Sequence, residues 1–235
     1  MSAEAAIRLT EILLAIAFLQ KSVEHVFGLP DERLYFLPLA ALSLLLLTGI
    51  ESDLVCYALL VNALFILHRF QGPYNGGSDL LGYLILVCLC LAHAAPDPRW
   101  REYALAYLAL QPILSYFKSG WSKAIHRDWW SGQALRDVFD FSAYPVSDAI
   151  RARFRDSALL APMSWAVILF ELAFPLALLH RDALVAALAL AAAFHLANFL
   201  LFGFNRFVWI WVASYPAILW LQDRLVGAGV PVISG

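Results

Sequence analysis

Residues 183–204 read ALVAALALAAAFHLANFLLFGF and contain no Asp, Glu, Lys or Arg. A helix of about 20 apolar residues crosses the hydrocarbon core of a bilayer, so this run is long enough to span it. Charged residues lie close to both ends of the run, Asp182 before it and Arg206 after it. The sequence therefore predicts a transmembrane helix at this position.

The composition of the whole chain is also typical of a membrane protein. Of its 235 residues, 62% are hydrophobic and 14% are charged, whereas a soluble domain carries about 25% charged residues. Sixteen Lys and Arg nearly balance eighteen Asp and Glu, which gives a formal net charge of -2. The basic residues form no single stripe, which excludes a nucleic-acid partner. The sequence therefore predicts a folded protein whose surroundings are the lipid bilayer.

Apolar runs of membrane-spanning length recur along the chain, separated by Gly, Pro and charged residues. Most connections are short, so neighbouring helices should pack antiparallel. The second, third and fourth runs are short enough to be re-entrant segments instead. The eight runs lie near residues 5–26, 34–50, 54–70, 79–95, 102–121, 158–179, 183–203 and 206–224.

These runs predict an all-α fold, a polytopic helical bundle of about eight transmembrane helices. We expect a single transmembrane domain over residues 1–235, in an inner or plasma membrane. The first run continues into polar residues without a small-residue cleavage pattern, so it is expected to be a membrane helix and not a cleaved signal. No soluble domain is expected after the last run.

The connection between the fifth and sixth runs, residues 122–157, is long and basic. Val146, Ile150 and Phe154 share one helical face and arginines occupy the rest, as in a helix that lies in the headgroup plane. Ser131 is expected to cap a second short helix. Its apolar side chains are Leu135, Val138 and Phe139. The positive-inside rule would place this connection in the cytoplasm and both termini outside.

The three cysteines, Cys56, Cys88 and Cys90, each lie inside an apolar run, so no disulfide framework is expected. Cys88 and Cys90 are two residues apart on a helix, which turns their side chains about 200° away from each other. They cannot share a metal ion in that geometry. The sequence therefore predicts small packing residues and no metal site.

Ionisable side chains inside apolar runs are costly in a bilayer and mark candidate functional sites. His195 and Asn198 are three residues apart and share a helical face, where they could belong to a site or form an interhelical hydrogen bond. Glu171 is the natural buried carboxylate to meet a cation. Lys123 lies where the fifth run ends, among aromatic residues that are also typical of an interfacial belt.

Other ionisable residues are weaker candidates. Lys21, Glu24 and His25 lie near the end of the first run, where they are expected to reach water. Asp79 follows the Gly-rich stretch 71–78, which could fold over a pocket mouth or be a plain loop. No phosphate-binding glycine loop, dinucleotide fingerprint, zinc-binding helix or serine elbow occurs in the sequence.

Two groups of these residues follow a known pattern. Residues 116–123 read YFKSGWSK and residues 128–132 read DWWSG. They resemble the Tyr-Phe-x-x-Gly-x-x-Lys and Asp-Trp-x-x-Gly signature of the vitamin K-dependent gamma-carboxylase-like family, also called the HTTM (horizontally transferred transmembrane) domain family. FHLAN at 194–198 resembles the family's Phe-His-x-x-Asn motif, and the stretches 75–79 and 171–175 fit less specifically.

The resemblance implies an activity. The family's carboxylase uses a lysine base to deprotonate reduced vitamin K, and oxygen addition then yields a strong base that removes a proton from a glutamate side chain. Carbon dioxide adds there, and the quinone leaves as an epoxide. By motif position the base falls on Lys123, and His195 and Asn198 would orient the quinone oxygens. The implied cofactor is reduced vitamin K or a related quinone.

The remaining members of the implied site are aromatic and acidic. Trp121, Trp129 and Trp130 would shield the lysine amine from water and, with Tyr116 and Glu171, would contact the quinone.

Two departures from the family pattern bear on the activity. The spacing between Lys123 and Asp128 is one residue longer than in the carboxylase. The sequence also stops after its last apolar run, without the C-terminal region that captures the protein substrate in the animal enzyme, so carboxylation of peptide glutamates does not follow.

Two hypotheses result. One is a membrane enzyme, a lyase or a quinone-oxidising protein, that acts on a lipid-soluble small molecule. The other is a non-catalytic subunit or transport component that binds a membrane-protein partner.

Overall fold

The computed structural model describes residues 1–28, 30–70, 77–141, 147–155 and 157–227. Within these ranges the chain forms eleven α-helices and two short 3-10 helices, and no β-strand. The predicted all-α fold is therefore confirmed. The predicted Gly-rich turn at 71–76 and Val146 of the predicted interfacial face lie outside the described residues.

Each of the eight predicted apolar runs coincides with a helix. Three shorter helices fall in the long connection. A 3-10 helix, Phe174–Leu179, continues α9. The bounds are α1 (Ala3–Val26), α2 (Arg33–Thr48), α3 (Ser52–Arg69), α4 (Gly77–His93), α5 (Pro98–Ala124), α6 (Arg127–Trp130), α7 (Gln133–Asp140), α8 (Asp148–Arg155), α9 (Leu160–Ala173), α10 (Arg181–Phe202) and α11 (Asn205–Gly227).

The helices differ in how well their length and apolarity suit a bilayer. Three segments of the described chain are long and apolar enough to cross one, namely Ser52–Arg69, Leu160–Leu179 and Arg181–Phe202. Gly77–His93 is apolar but shorter. Eight membrane crossings, the orientation of the termini and the kind of membrane stay predictions.

Local chemistry explains the bounds of α10. His180 precedes it, and its Nδ1 accepts a hydrogen bond from the backbone N–H of Asp182 at 3.2 Å, which satisfies a free donor of the first turn. Gly203 ends the helix with a φ of +74°, a left-handed conformation that glycine adopts without strain.

The chain divides into two compact units. Among the described residues, the first lies within 1–110 and 206–227, and the second lies within 111–205. In the first unit, α1 packs on α2 and α4, and α3 packs on both α2 and α4. In the second unit, α6 and α7 pack on α9, and α7 packs on α8. The single-domain interpretation stays a prediction.

The helical part of the long connection is present, but two details of its prediction are wrong. Gly132, not Ser131, is the residue before α7, although Ser131 Oγ accepts from the Gln133 N–H at 3.3 Å. On α8, Phe154 stacks on Phe139 of α7, and Arg151, three residues earlier, is carried inward with it.

The side chain of Ile150 is exposed while Phe154 packs inward, and the docking of this face on a membrane stays a prediction. The inward face of α8 is set by its contact with α7, which a pattern within α8 alone does not reveal.

Candidate functional site

A lysine and a glutamate form the centre of the second unit's polar site. Lys123 Nζ, in the last turn of α5, donates hydrogen bonds to Glu171 Oε2 at 2.7 Å and to Oε1 at 3.0 Å. Ser119 lies one turn earlier on α5, and its Oγ accepts from Lys123 Nζ at 2.5 Å. The expectation that Glu171 meets a cation is confirmed, and the cation is Lys123.

The glycine of the first motif allows this pair to form. A Cβ on Gly120 would lie 2.8 Å from the backbone nitrogen of Leu172 and 2.9 Å from the Cβ of Glu171. Backbone at that distance cannot move aside locally, so only glycine permits α5 to approach α9 this closely. Gly120 thus brings Lys123 within reach of Glu171.

The glycine of the second motif has a related role. Gly132 has a φ of +79°, and a Cβ there would lie 2.6 Å from the backbone nitrogen of Ala161. Ser164 of α9 donates a hydrogen bond to the backbone oxygen of Trp129 at 2.5 Å. These two contacts fasten the segment after α5 to α9, and so they hold Trp129 beside the lysine.

The three tryptophans are not equivalent. Lys123 Nζ lies 5.2 Å from the ring centroid of Trp129, a cation–π contact. Trp121 is 57% exposed, since two residues along a helix turn its side chain about 200° away from that of Lys123. Trp130 is also exposed, and it donates its Nε1–H to the Ala124 carbonyl at 2.7 Å. Shielding of the amine by Trp121 is therefore wrong, while shielding by Trp130 and the contact of both rings with a quinone stay predictions.

Tyr116 and His195 form a second polar pair in this unit. Tyr116 Oη lies 2.7 Å from His195 Nε2, and both residues are buried. Tyr116, Ser119 and Lys123 lie at intervals of three and four on α5, so they share one face. Asn198 lies one turn beyond His195 on α10 and is half-buried. Of the two alternatives for His195, the interhelical hydrogen bond is present and its partner is Tyr116, while a role in a site stays a prediction.

An open apolar groove of about 370 Å³ lies beside the tyrosine, a size within the range of ligand pockets. The ring of Phe174 stacks on Tyr116 with the centroids 4.3 Å apart, and that of Phe170 meets it edge-on at 5.9 Å. The lining comes from α9, the 3-10 helix and α10, and includes Phe170, Phe174, Leu176, Ala183, Ala187 and Leu190. The groove therefore places apolar surface next to the Tyr116–His195 pair.

The arrangement is suited to moving protons. A carboxylate, an amine and a hydroxyl lie in one hydrogen-bonded chain formed by Glu171, Lys123 and Ser119. The role of Ser119 was missed from the sequence, although its place one turn before Lys123 was a usable signal.

The first unit contains another buried polar cluster. Lys21 Nζ contacts Asp79 Oδ1 at 2.6 Å. Arg206 lies 3.5 Å from Asp79 and 2.7 Å from His25, and His25 contacts Glu32 at 2.7 Å. The prediction that Lys21 and His25 reach water is wrong, because both are buried.

Comparison with known families agrees with the resemblance found in the motifs. A family model described as HTTM domain matches residues 33–222, which contain both motif segments and all members of the site. No curated protein and no solved structure matches the chain.

Proposed function

The chain belongs to the HTTM domain family, and from this premise we propose that it is an integral membrane enzyme that acts on a quinone or another lipid-soluble substrate. Lys123 is the base in this proposal. The observation that carries it is the Lys123–Glu171 pair, which forms on the family's motif and depends on the motif glycine Gly120. The proposal includes a multi-pass arrangement of about eight helices in an inner or plasma membrane.

The pair can take up one proton from a substrate hydroxyl. Glu171 is the member of the pair that can gain this proton, because its side chain is a carboxylate. Lys123 Nζ is hydrogen-bonded to both carboxylate oxygens. Lys123 first passes one proton to Glu171, and the neutral amine that results accepts the proton of the substrate hydroxyl. The lysine is then again an ammonium and stabilises the oxygen anion that forms. A reduced quinone would supply the acidic hydroxyl.

Other residues of the unit bind and orient the substrate in this proposal. Tyr116 and His195 supply hydrogen-bonding groups for its oxygens. The adjacent groove, about 370 Å³ in volume, takes its apolar part and excludes water. Asn198, Trp129 and Trp130 complete the proposed binding surface.

The non-catalytic alternative also has support from the ion pair. A lysine and a glutamate that satisfy each other can simply hold α5 to α9, as polar pairs do in membrane bundles. In that case the protein would serve as a subunit or transport component of a larger membrane complex. Ligand binding separates the two hypotheses.

Quinone binding is the first test. We expect the purified chain in lipid nanodiscs to bind a prenylated naphthoquinol. Quenching of tryptophan fluorescence measures this binding. Ala187→Trp fills the groove and should weaken binding at least tenfold, whereas Ala189→Trp, on the same helix but outside the lining, should not. His195→Ala should also weaken binding. If the wild-type chain binds neither naphthoquinols nor benzoquinols, the non-catalytic alternative is favoured.

A further inference from the structure

Three metal-ligating side chains from three helices converge in the first unit. They are Glu11 of α1, Cys56 of α3 and His93 of α4, and one donor atom of each lies within 4.8 Å of the other two. Glu11 Oε1 and His93 Nε2 are 2.7 Å apart. Glu11 and Cys56 are buried, and the side chain of His93 is 22% exposed.

The carboxylate of this cluster is held in place by an arginine. Arg8 Nη1 donates to Glu11 Oε2 at 2.8 Å. The same guanidinium also donates to the backbone oxygens of Leu46 and Leu47 at 2.8 and 2.6 Å, at the end of α2. The negative end of that helix dipole offsets the positive charge of the arginine. Arg8 therefore fixes Glu11 so that its other oxygen, Oε1, points at His93.

We propose that Glu11, Cys56 and His93 form a binding site for a divalent ion of the zinc type. A thiolate, an imidazole and a carboxylate are the ligands that Zn²⁺ prefers, and three protein ligands leave a fourth position for water or another ligand. The two anionic ligands balance the charge of the ion. A carboxylate oriented by a neighbouring hydrogen-bond donor, as Glu11 is by Arg8, is a usual feature around metal ligands.

Binding of the ion requires the donor atoms to move, and the thiol of Cys56 lies within 4.8 Å of the other two. Donor atoms around a tetrahedral zinc ion lie about 3.3–3.6 Å apart, so the contact between Glu11 and His93 must open by about 0.6 Å. His93 is the last residue of α4, and its partial exposure gives the imidazole room to move and the ion a path to the site. Glu11 and His93 could form their hydrogen bond without a thiol nearby. The presence of Cys56 beside them is therefore the feature that indicates a metal site.

Cobalt(II) gives a direct test, because it substitutes for zinc and its absorption reports a bound thiolate. The full chain is purified in detergent, stripped with a chelator and titrated with Co²⁺. We expect one equivalent to bind with a thiolate-to-cobalt charge-transfer band in the near ultraviolet, and Zn²⁺ to abolish that band. Because the thiol must lose its proton to bind, the affinity should rise with pH.

Matched variants locate the site. Cys56→Ser should remove the charge-transfer band, and His93→Ala should weaken Co²⁺ binding at least tenfold. Cys88→Ser changes another buried cysteine of the same unit and should keep the band. The proposal is overturned if the wild-type chain shows no such band at stoichiometric Co²⁺, or if the band survives Cys56→Ser. Neither result depends on the quinone proposal, since the readout is metal binding.

Discussion

Each unit of the molecule contains a buried lysine–carboxylate pair, and the two pairs differ in their surroundings. Lys21 and Asp79 are 2.6 Å apart in the first unit, with side chains that are 6% and 4% exposed. Lys123 and Glu171 are 2.7 Å apart in the second unit, with side chains that are 16% and 4% exposed. The residue types and distances are alike, so only the environment can assign them different roles.

Lys21 is the more enclosed lysine. Its Nζ lies 5.8 Å from the ring centroid of Phe36 and 5.5 Å from that of Tyr83. The cavity beside it has a volume of about 10 Å³, which is room for about one water molecule. Arg206 provides a second cation for Asp79 at 3.5 Å. This pair is therefore suited to holding helices together.

Lys123 has instead the features that the proposed proton transfer requires. It lies at the end of its helix, contacts a hydroxyl as well as a carboxylate, and shares a helical face with Tyr116. Burial of an ion pair therefore does not by itself indicate function. Greater exposure of the lysine and a hydroxyl group hydrogen-bonded to it distinguish the second pair.

The largest expected effect is on stability. Asp79→Asn leaves Lys21 buried without its anion, and we expect a loss of about 3–5 kcal/mol in the free energy of unfolding. Glu171→Gln should cost less, about 1–3 kcal/mol, because Lys123 keeps some access to water and a bond to Ser119. Denaturant titration of both variants in the same detergent measures the difference. Equal losses would remove the structural distinction between the two pairs.

The next effect concerns how the second pair is assembled. In Gly120→Ala the added methyl group meets backbone of α9 at 2.8 Å, so the helices must separate. We expect a loss of about 1–3 kcal/mol in stability together with loss of turnover. The control is Gly82→Ala in the first unit, where the methyl group meets the flexible end of Ile210 at 3.1 Å. If Gly120→Ala keeps full stability and turnover, the close approach is not what positions Lys123.

The smallest expected effect is a difference in turnover between variants of two tryptophans near the second unit's polar site. Trp129→Leu removes a cation–π contact worth about 0.5–1 kcal/mol and should lower turnover about two- to fivefold. Trp121→Leu should lower turnover less than Trp129→Leu does, since the indole is exposed on the other side of α5 and lies away from the lysine. Parallel rate measurements decide the point, and a larger effect at Trp121 would mean that the quinone approaches from that side.

Local features of the molecule could be predicted from the sequence. The length and apolarity of each run are properties of neighbouring residues, so each predicted run coincides with a helix, while eight membrane crossings stay a prediction. A buried carboxylate requires a cation, which predicted a partner for Glu171 without identifying it.

Contacts between distant residues could not be predicted in this way. Lys21 meets Asp79 across 58 positions, and Glu11, Cys56 and His93 come from three helices. The inward position of Arg151 likewise depends on the packing of α8 on α7. In each case a partner elsewhere in the chain decides the outcome, and no pattern within one helix contains that information.

The central claim is that the Lys123–Glu171 pair accepts a proton while the other pair does not. Its most direct test is the rate at which Lys123→Arg oxidises quinol with molecular oxygen as the electron acceptor, because a guanidinium keeps the charge and the ion pair but cannot act as a base. We expect this variant to fold and bind the quinol normally and to lose turnover by about 10²-fold or more. Lys118→Arg, an exposed lysine on the same helix, should retain the wild-type rate. Full turnover by Lys123→Arg would contradict the account.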